Sequence, residues 1–335
     1  MKYFRFIISG ILVLFFVGCQ HNPLKVDISR IREEVPVVRY DQLFFSMGSY
    51  PDSATIAGMV AKYPEFTKLY SFQVIKIGNL NDSIGRMMVH EFVSDSVILL
   101  SKRKTEEIFP EHPEFEGKLI RAFKYYRYYF PGKTLPVIYA CISGFNESVF
   151  ISGNVIGVSL DKYLGSDCPF YPLLGLPKYK QQKMIPGMIP RDVVQAWARS
   201  QFPLKNEATT LCDYMMYEGK LQYFANAILP DMEDTLLTAY SERQLKWCTE
   251  NESRMWNYLI ENKMLFSTRQ MDIVRYINDG PTTNGFPPES PGRTGAWLGW
   301  RIVMNYMKRH PEVTLPQLMM NNNFQEILNA SAYAP

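Results

Sequence analysis

Three short stretches carry residue types that could do chemistry. His90-Glu91 lies in a helix-like run, and a zinc peptidase places two histidines four apart on one helix face with a glutamate beside the first. Position 94 is Ser94, so the second ligand is missing. His21, His112 and His310 are too scattered to join it, and no metal is expected. Tyr217-Glu218-Gly219-Lys220 sets a carboxylate and a glycine inside an apolar run. Glycine costs a helix interior about 1 kcal/mol, and a carboxylate among apolar neighbours must be paired. That local conflict reads either as close helix packing or as a site. The third stretch is Ser290-Pro291-Gly292-Arg293-Thr294-Gly295-Ala296-Trp297-Leu298-Gly299-Trp300. Arg293 opens a helix, where the dipole disfavours a cation; a partner such as Glu218 or Glu289 would account for it. Gly295 and Gly299 leave a flat strip where another backbone can approach. Trp297 and Trp300 read either as core or as the wall of a groove. No GxSxG, GxGxxG or P-loop pattern occurs, which gives no support to a nucleophile-elbow hydrolase, a dinucleotide enzyme or an NTPase. No cofactor is expected.

The N-terminus carries a different chemistry. Lys2 and Arg5 precede an apolar run from Phe6 to Val17, too short to span a bilayer but right for a signal peptide. Phe16-Val17-Gly18-Cys19 resembles a bacterial lipobox, with Cys19 as the thiol that takes the diacylglycerol. Residues 1–18 are expected to be removed and residues 19–36 to form a lipidated tether. No acidic cluster follows Cys19, which favours an outer-membrane lipoprotein facing the periplasm. Cys141, Cys168, Cys212 and Cys248 remain, either paired in one of three ways or as buried free thiols.

These residues need a frame to hold them. The chain has 335 residues, is 47% hydrophobic and 21% charged, and carries a formal charge of +3. That excludes a disordered chain and gives no field for nucleic acid. Loss of the signal peptide leaves 34 basic and 33 acidic residues. Two helical stretches are expected over 51–104, and an amphipathic helix over 113–130, where Phe115, Leu119, Ala122, Phe123 and Tyr126 form one stripe. Val- and Ile-rich strands follow at 135–143 and 148–160, with Ser152-Gly153-Asn154 as a turn. Five prolines make 168–190 irregular; a stretch of that kind usually covers something. Helices are expected over 192–199, 206–229, 241–261 (from a capping box at Ser241), 272–277 (from a second box at Ser267), 293–309 and 314–328. The fold class is α+β, predominantly helical with one small sheet. Residues 37–335 form one domain, helical over 50–130, with the sheet over 135–160, and helical again over 190–330.

Several of these stretches together resemble the gliding motility lipoprotein GldB family of the Bacteroidetes. They are the lipobox, Ile142-Ser143-Gly144-Phe145-Asn146, Tyr217-Glu218-Gly219-Lys220, Trp247-Cys248 with Asn251-Glu252, the Ser290–Trp300 stretch and the closing Tyr333-Ala334-Pro335. That family in turn resembles HExxH zinc peptidases of the gluzincin kind. The resemblance implies a scaffold in which Glu218 stands on the helix of the third zinc ligand and 293–309 packs behind. The segment where HExxH belongs, Asp192 to Ser200, holds neither His nor Glu.

The reading is therefore a non-catalytic binding or scaffold protein, anchored by lipid and working with envelope proteins in gliding motility or a related role. Glu218, Gly219, Arg293, Gly295, Trp297, Gly299 and Trp300 would form a structural pocket or partner surface. The alternatives are a peptidase or carboxylate-dependent glycosidase centred on Glu218, and a peptide or glycan binder using Trp297.

Overall fold

The computed structural model describes residues 22–111 and 113–335. The signal peptide and Cys19 lie outside the described residues. So do His21 and His112.

A four-stranded sheet divides the molecule. β1 (Val37–Arg39), β2 (Val137–Cys141), β3 (Val149–Ser152) and β4 (Val155–Ser159) run in the order β1-β2-β4-β3. The β1–β2 and β2–β4 pairs are parallel, and β3–β4 is a hairpin turning at Gly153-Asn154. Three-residue β1 was not foreseen. It is too short to show the alternation that identifies a strand, and only its pairing with β2 defines it.

Alternation sorts the side chains of the central strands. Ile138, Ala140, Ile156 and Val158 point into a large core; Tyr139, Cys141 and Val155 point into a smaller one. Gly157 also faces the smaller side, and the ring of Phe150 occupies the space its side chain would need.

The long connection from β1 to β2 builds the smaller side. It contains α1 (Tyr40–Ser46), α2 (Ser53–Lys62), α3 (Pro64–Leu69), a π-helical turn at Tyr70–Val74, α4 (Ser83–Ser94) and α5 (Ser96–Ile108). Asp52, Asp82 and Asp95 cap α2, α4 and α5 by accepting from backbone N–H groups of the first turns. The stretch read as two helical runs is thus subdivided at each cap. α6 (Glu114–Tyr129) ends the connection and buries its aromatic stripe in the large core.

The chain then stays on the large side after α7 (Phe170–Leu173) and α8 (Lys178–Gln181). There it forms α9 (Ile189–Gln201), α10 (Leu211–Ile228), α11 (Asp234–Thr238), α12 (Glu242–Glu250), α13 (Glu252–Glu261), α14 (Gln270–Ile277), α15 (Thr294–Arg309), α16 (Leu315–Met320) and α17 (Phe324–Ser331). The capping box at Ser241 forms. The helix it starts breaks at Asn251, whose side-chain amide donates to Trp247 O at 2.8 Å and competes with the helix ladder. The box at Ser267 does not form. Its hydroxyl donates instead to the Asp272 carboxylate at 2.6 Å, and Arg269 takes the cap position. The closing helix is likewise two, α16 and α17, separated at Asn321–Asn323.

Residues 22–36, read as part of a tether, lie along the domain. The Asn22 amide donates to Pro230 O at 3.1 Å, Tyr129 Oη donates to Leu24 O at 3.1 Å, and Lys25 pairs with Asp231. Leu24, Val26 and Ile28 pack on the large core.

Candidate functional site

α10 and α15 pack backbone to backbone, and three glycines make that possible. A Cβ on Gly219 would collide with the Gly299 carbonyl, and a Cβ on Gly299 with the Met215 carbonyl. A Cβ on Gly295 would meet Tyr276 on α14 at 2.9 Å. Close packing, one of the two readings of Glu218-Gly219, is therefore present.

The other reading, a partnered carboxylate, is present as well. Glu218 is buried and accepts three charged hydrogen bonds. Arg199 on α9 binds it in a fork, Nη1 to Oε1 at 2.8 Å and Nη2 to Oε2 at 2.7 Å. Arg293 Nη2 adds a third at 2.8 Å to Oε2. Burial by itself would raise the Glu218 pKa, but the Arg199 hydrogen bonds and the two nearby guanidinium charges outweigh it and hold the carboxyl below its ordinary value. Arg199 gains more from Glu218 than burial takes away, and its pKa is raised. Arg293 caps α15 in the left-handed region, with φ at 63°. A non-glycine residue is rarely held there. Its neighbours fix it: Tyr240 Oη donates to Gly292 O at 2.6 Å, and Thr283 Oγ1 donates to Pro291 O at 2.7 Å.

Beside this ion triad lies an amide lattice. Gln195 on α9 donates to Gln222 on α10 at 2.8 Å, and Gln222 donates onward to Leu237 O at 2.7 Å. Gln195 and Arg199 are four apart on one helix, and Glu218 and Gln222 four apart on the next, so the two faces meet as a matched pair. Arg191, also buried, binds Asp192 at 2.9 Å and reaches Leu237 O.

The space left over is small. A cavity of about 20 Å³ is lined by Glu218, Gln222, Thr238, Tyr240, Arg293, Ala296, Trp297 and Trp300. That is room for a single water. Trp297 and Trp300 are buried within the core, so neither offers a face for stacking a sugar. The Trp300 indole N–H has no protein partner. A much larger cleft, about 1460 Å³, lies along other faces of α10, α13 and α15 and is lined by Tyr223, Glu252, Arg301, Met304 and Tyr333 among others. Glu252 there accepts from Arg301 Nε at 2.9 Å and from Tyr333 Oη at 2.6 Å, which ties the C-terminal motif to the Asn251-Glu252 motif.

Of the residues singled out, Glu218, Arg293, Trp297 and Trp300 line the small cavity, Gly219 and Gly299 face each other between α10 and α15, and Gly295 packs on Tyr276 of α14. The remaining candidates stay apart. His90 stacks on Tyr50 at 4.0 Å and its Nδ1 meets Ser49 O and the Ser94 hydroxyl, and His310 faces Glu312 and Ala330 O. Among the described residues no three His, Cys, Asp or Glu side chains converge as a metal site would need. Cys141, Cys168, Cys212 and Cys248 are buried free thiols; burial raises each pKa, that of Cys212 to about 12. Arg199, Gln195 and Gln222 were not singled out from the sequence. The matching four-residue spacings on α9 and α10 were the signal that could have found them.

A family model described as gliding motility protein GldB matches residues 21–335. No curated protein and no solved structure matches the chain.

Proposed function

The chain belongs to the gliding motility protein GldB family, and from that premise we propose that it is a non-catalytic binding component of the cell envelope, held by lipid at Cys19 to the outer membrane and facing the periplasm. One observation carries the non-catalytic reading: Glu218 is spent. Its oxygens are taken by Arg199 and Arg293, and it is held ionised beside a one-water cavity. A general acid needs a raised pKa, and a general base needs a free lone pair aimed at a substrate. Glu218 offers neither. The lipid anchor rests on the lipobox, and among the described residues no helix is long and apolar enough to cross a membrane.

The zinc implied by the likeness to HExxH peptidases does not fit these residues. α9 presents Gln195 and Arg199 at the spacing where that motif has its histidines, and two guanidinium groups already flank the one carboxylate. Zinc needs about three N, O or S donors, and Arg supplies none. In this reading an ion triad and an amide lattice stand where the metal would be and tie α9, α10 and α15 together without it. Binding falls to other surfaces, and the large cleft has the space for a partner.

Zinc content of the purified chain, measured by elemental mass spectrometry without a tag or chelator, tests this. Less than about a tenth of an equivalent is expected; near-stoichiometric zinc would overturn the metal-free reading. Peptidase or glycosidase activity that disappears in Glu218→Gln would replace it with the hydrolase alternative. Cross-linking in cells should capture envelope proteins, and capture of none above background would overturn the binding role.

A further inference from the structure

The chain is fixed to the domain from Asn22 onward. The Asn22 side-chain carbonyl accepts from Leu24 N at 3.0 Å, and its main-chain carbonyl accepts from Lys25 N at 3.0 Å. These bonds close a turn over 22–25, and the turn is tied down along its length. The Asn22 amide donates to Pro230 O, Tyr129 Oη donates to Leu24 O, and Lys25 pairs with Asp231 at 2.6 Å. Leu24 and Val26 pack on the large core. Peeling the segment away would break these contacts together and return apolar side chains to water.

Only Gln20 and His21 stand between Asn22 and Cys19. Three Cα steps span at most about 11 Å in any conformation. A compact domain of this length has a radius of gyration of about 20 Å and measures about 50 Å across. A leash so much shorter than the body cannot bring the body's opposite side to the surface that holds the lipid.

We infer that the face around Asn22, made of residues 22–25, 128–131 and 230–231, is seated on the bilayer. The inference rests on the lipid proposed at Cys19. Chain length selects the bilayer as the occupant: the acyl chains enter the membrane, and Asn22 cannot leave their neighbourhood.

The composition of the face agrees. Lys25 and Arg121 are both paired with Asp231, so seating does not rest on an anionic lipid. Tyr128 is 48% exposed and packs edge-on against Tyr129, with centroids 5.2 Å apart. A half-exposed tyrosine suits the headgroup zone, where aromatic side chains with a polar end collect. Asn22, Leu24, Tyr128 and Tyr129 also line the large cleft. The cleft therefore borders the lipid surface rather than standing away from it in the periplasm.

The test uses the mature lipidated chain, reconstituted in phosphatidylcholine vesicles that include lipids with a nitroxide quencher on the headgroup. A fluorophore is placed on Gly132→Cys, beside the cleft residue Pro131, or on Gly58→Cys, in α2 on the other side of the sheet. Both glycines are exposed with open space for a side chain, and Cys141, Cys168, Cys212 and Cys248 are buried from the label. Quenching of the Gly132 label is expected to be several-fold stronger than that of the Gly58 label, and insensitive to salt. Inserting about twenty Gly and Ser residues after Gln20 gives a leash averaging about 25 Å, and should bring the two labels close to equal. Equal quenching on the native leash, or stronger quenching of the Gly58 label, overturns the seating. A preference that survives the insertion overturns the leash as its cause. Intact mass of the same preparation tests the premise separately. A chain without added diacylglycerol overturns the anchor and the seating together, whereas a lipidated chain with equal quenching overturns the seating alone.

Discussion

The two sides of the sheet are held together by different means. On the smaller side, Tyr40, Phe44, Phe66, Tyr70 and Tyr139 pack ring to ring, with centroids 4.2 to 6.3 Å apart. Buried polar contacts are present there as well: Tyr40 Oη with Thr67 Oγ1 at 3.0 Å, Tyr70 Oη donating to Ile142 O at 2.5 Å, and the Arg39–Asp41 ion pair at 2.7 Å. On the larger side, α10 meets α15 with no side chain between Gly219 and Gly299, and a carboxylate with two guanidinium partners is buried next to that contact. Aromatic pairs prefer edge-to-face or offset geometries, yet a ring that shifts slightly keeps most of its contacts. A buried ion triad does not, since removing one member strands the others. The larger side thus depends on a glycine contact and a buried ion triad, and the smaller side mainly on packed rings.

Substitutions can sharpen or break this contrast. The largest effect is expected at Gly299→Val, which drives a branched side chain into the Met215 carbonyl. It should cost about 4 kcal/mol or more, read as a lowered urea midpoint or as failure to fold. Next comes Glu218→Gln, which leaves Arg199 and Arg293 facing an amide and should cost about 3 kcal/mol. The same variant gives a pH signature. The folded Glu218 pKa lies below its ordinary value, so its contribution is complete above that value and is lost as pH falls through the folded one. The wild-type chain should therefore lose more stability on acidification than Glu218→Gln does. Equal acid profiles would show that the triad contributes nothing.

Smaller effects belong to the other side. Tyr40→Phe keeps the ring and strands the Thr67 hydroxyl, at a cost of about 1 kcal/mol by thermal unfolding. Gly58→Ala in α2 has open space around it and is expected to stabilise by about 0.5 kcal/mol. A loss there as large as at Gly299 would erase the distinction between the two sides.

Much of this was legible in the residues. The apolar stripe of α6, the hairpin at Gly153-Asn154 and the capping box at Ser241 are local patterns, and all three are present. Arg293 was also legible, because a cation at a helix start is a conflict that demands an anion, and Glu218 was one of the two carboxylates considered. Arg199 was not. It sits in the last turn of α9, where a cation suits the dipole. A residue at ease in its own helix gives no hint of a second role. The exposure of Leu173 at the end of α7, 85%, was hidden for a similar reason, since an apolar residue in a proline-rich segment looks like any other candidate for the core.

By itself the sequence determined the family likeness, the helical character with one small sheet, and the glycines that require close approach. These depend on side chains within a few positions of one another or on the absence of a Cβ. Only the tertiary structure decided which guanidinium groups reach Glu218, from 19 and 75 residues away, and that the space beside it holds no more than a water. It also decided that Leu173 faces outward. Pairing and burial over such separations follow from how helices pack on a sheet, and no local periodicity encodes that.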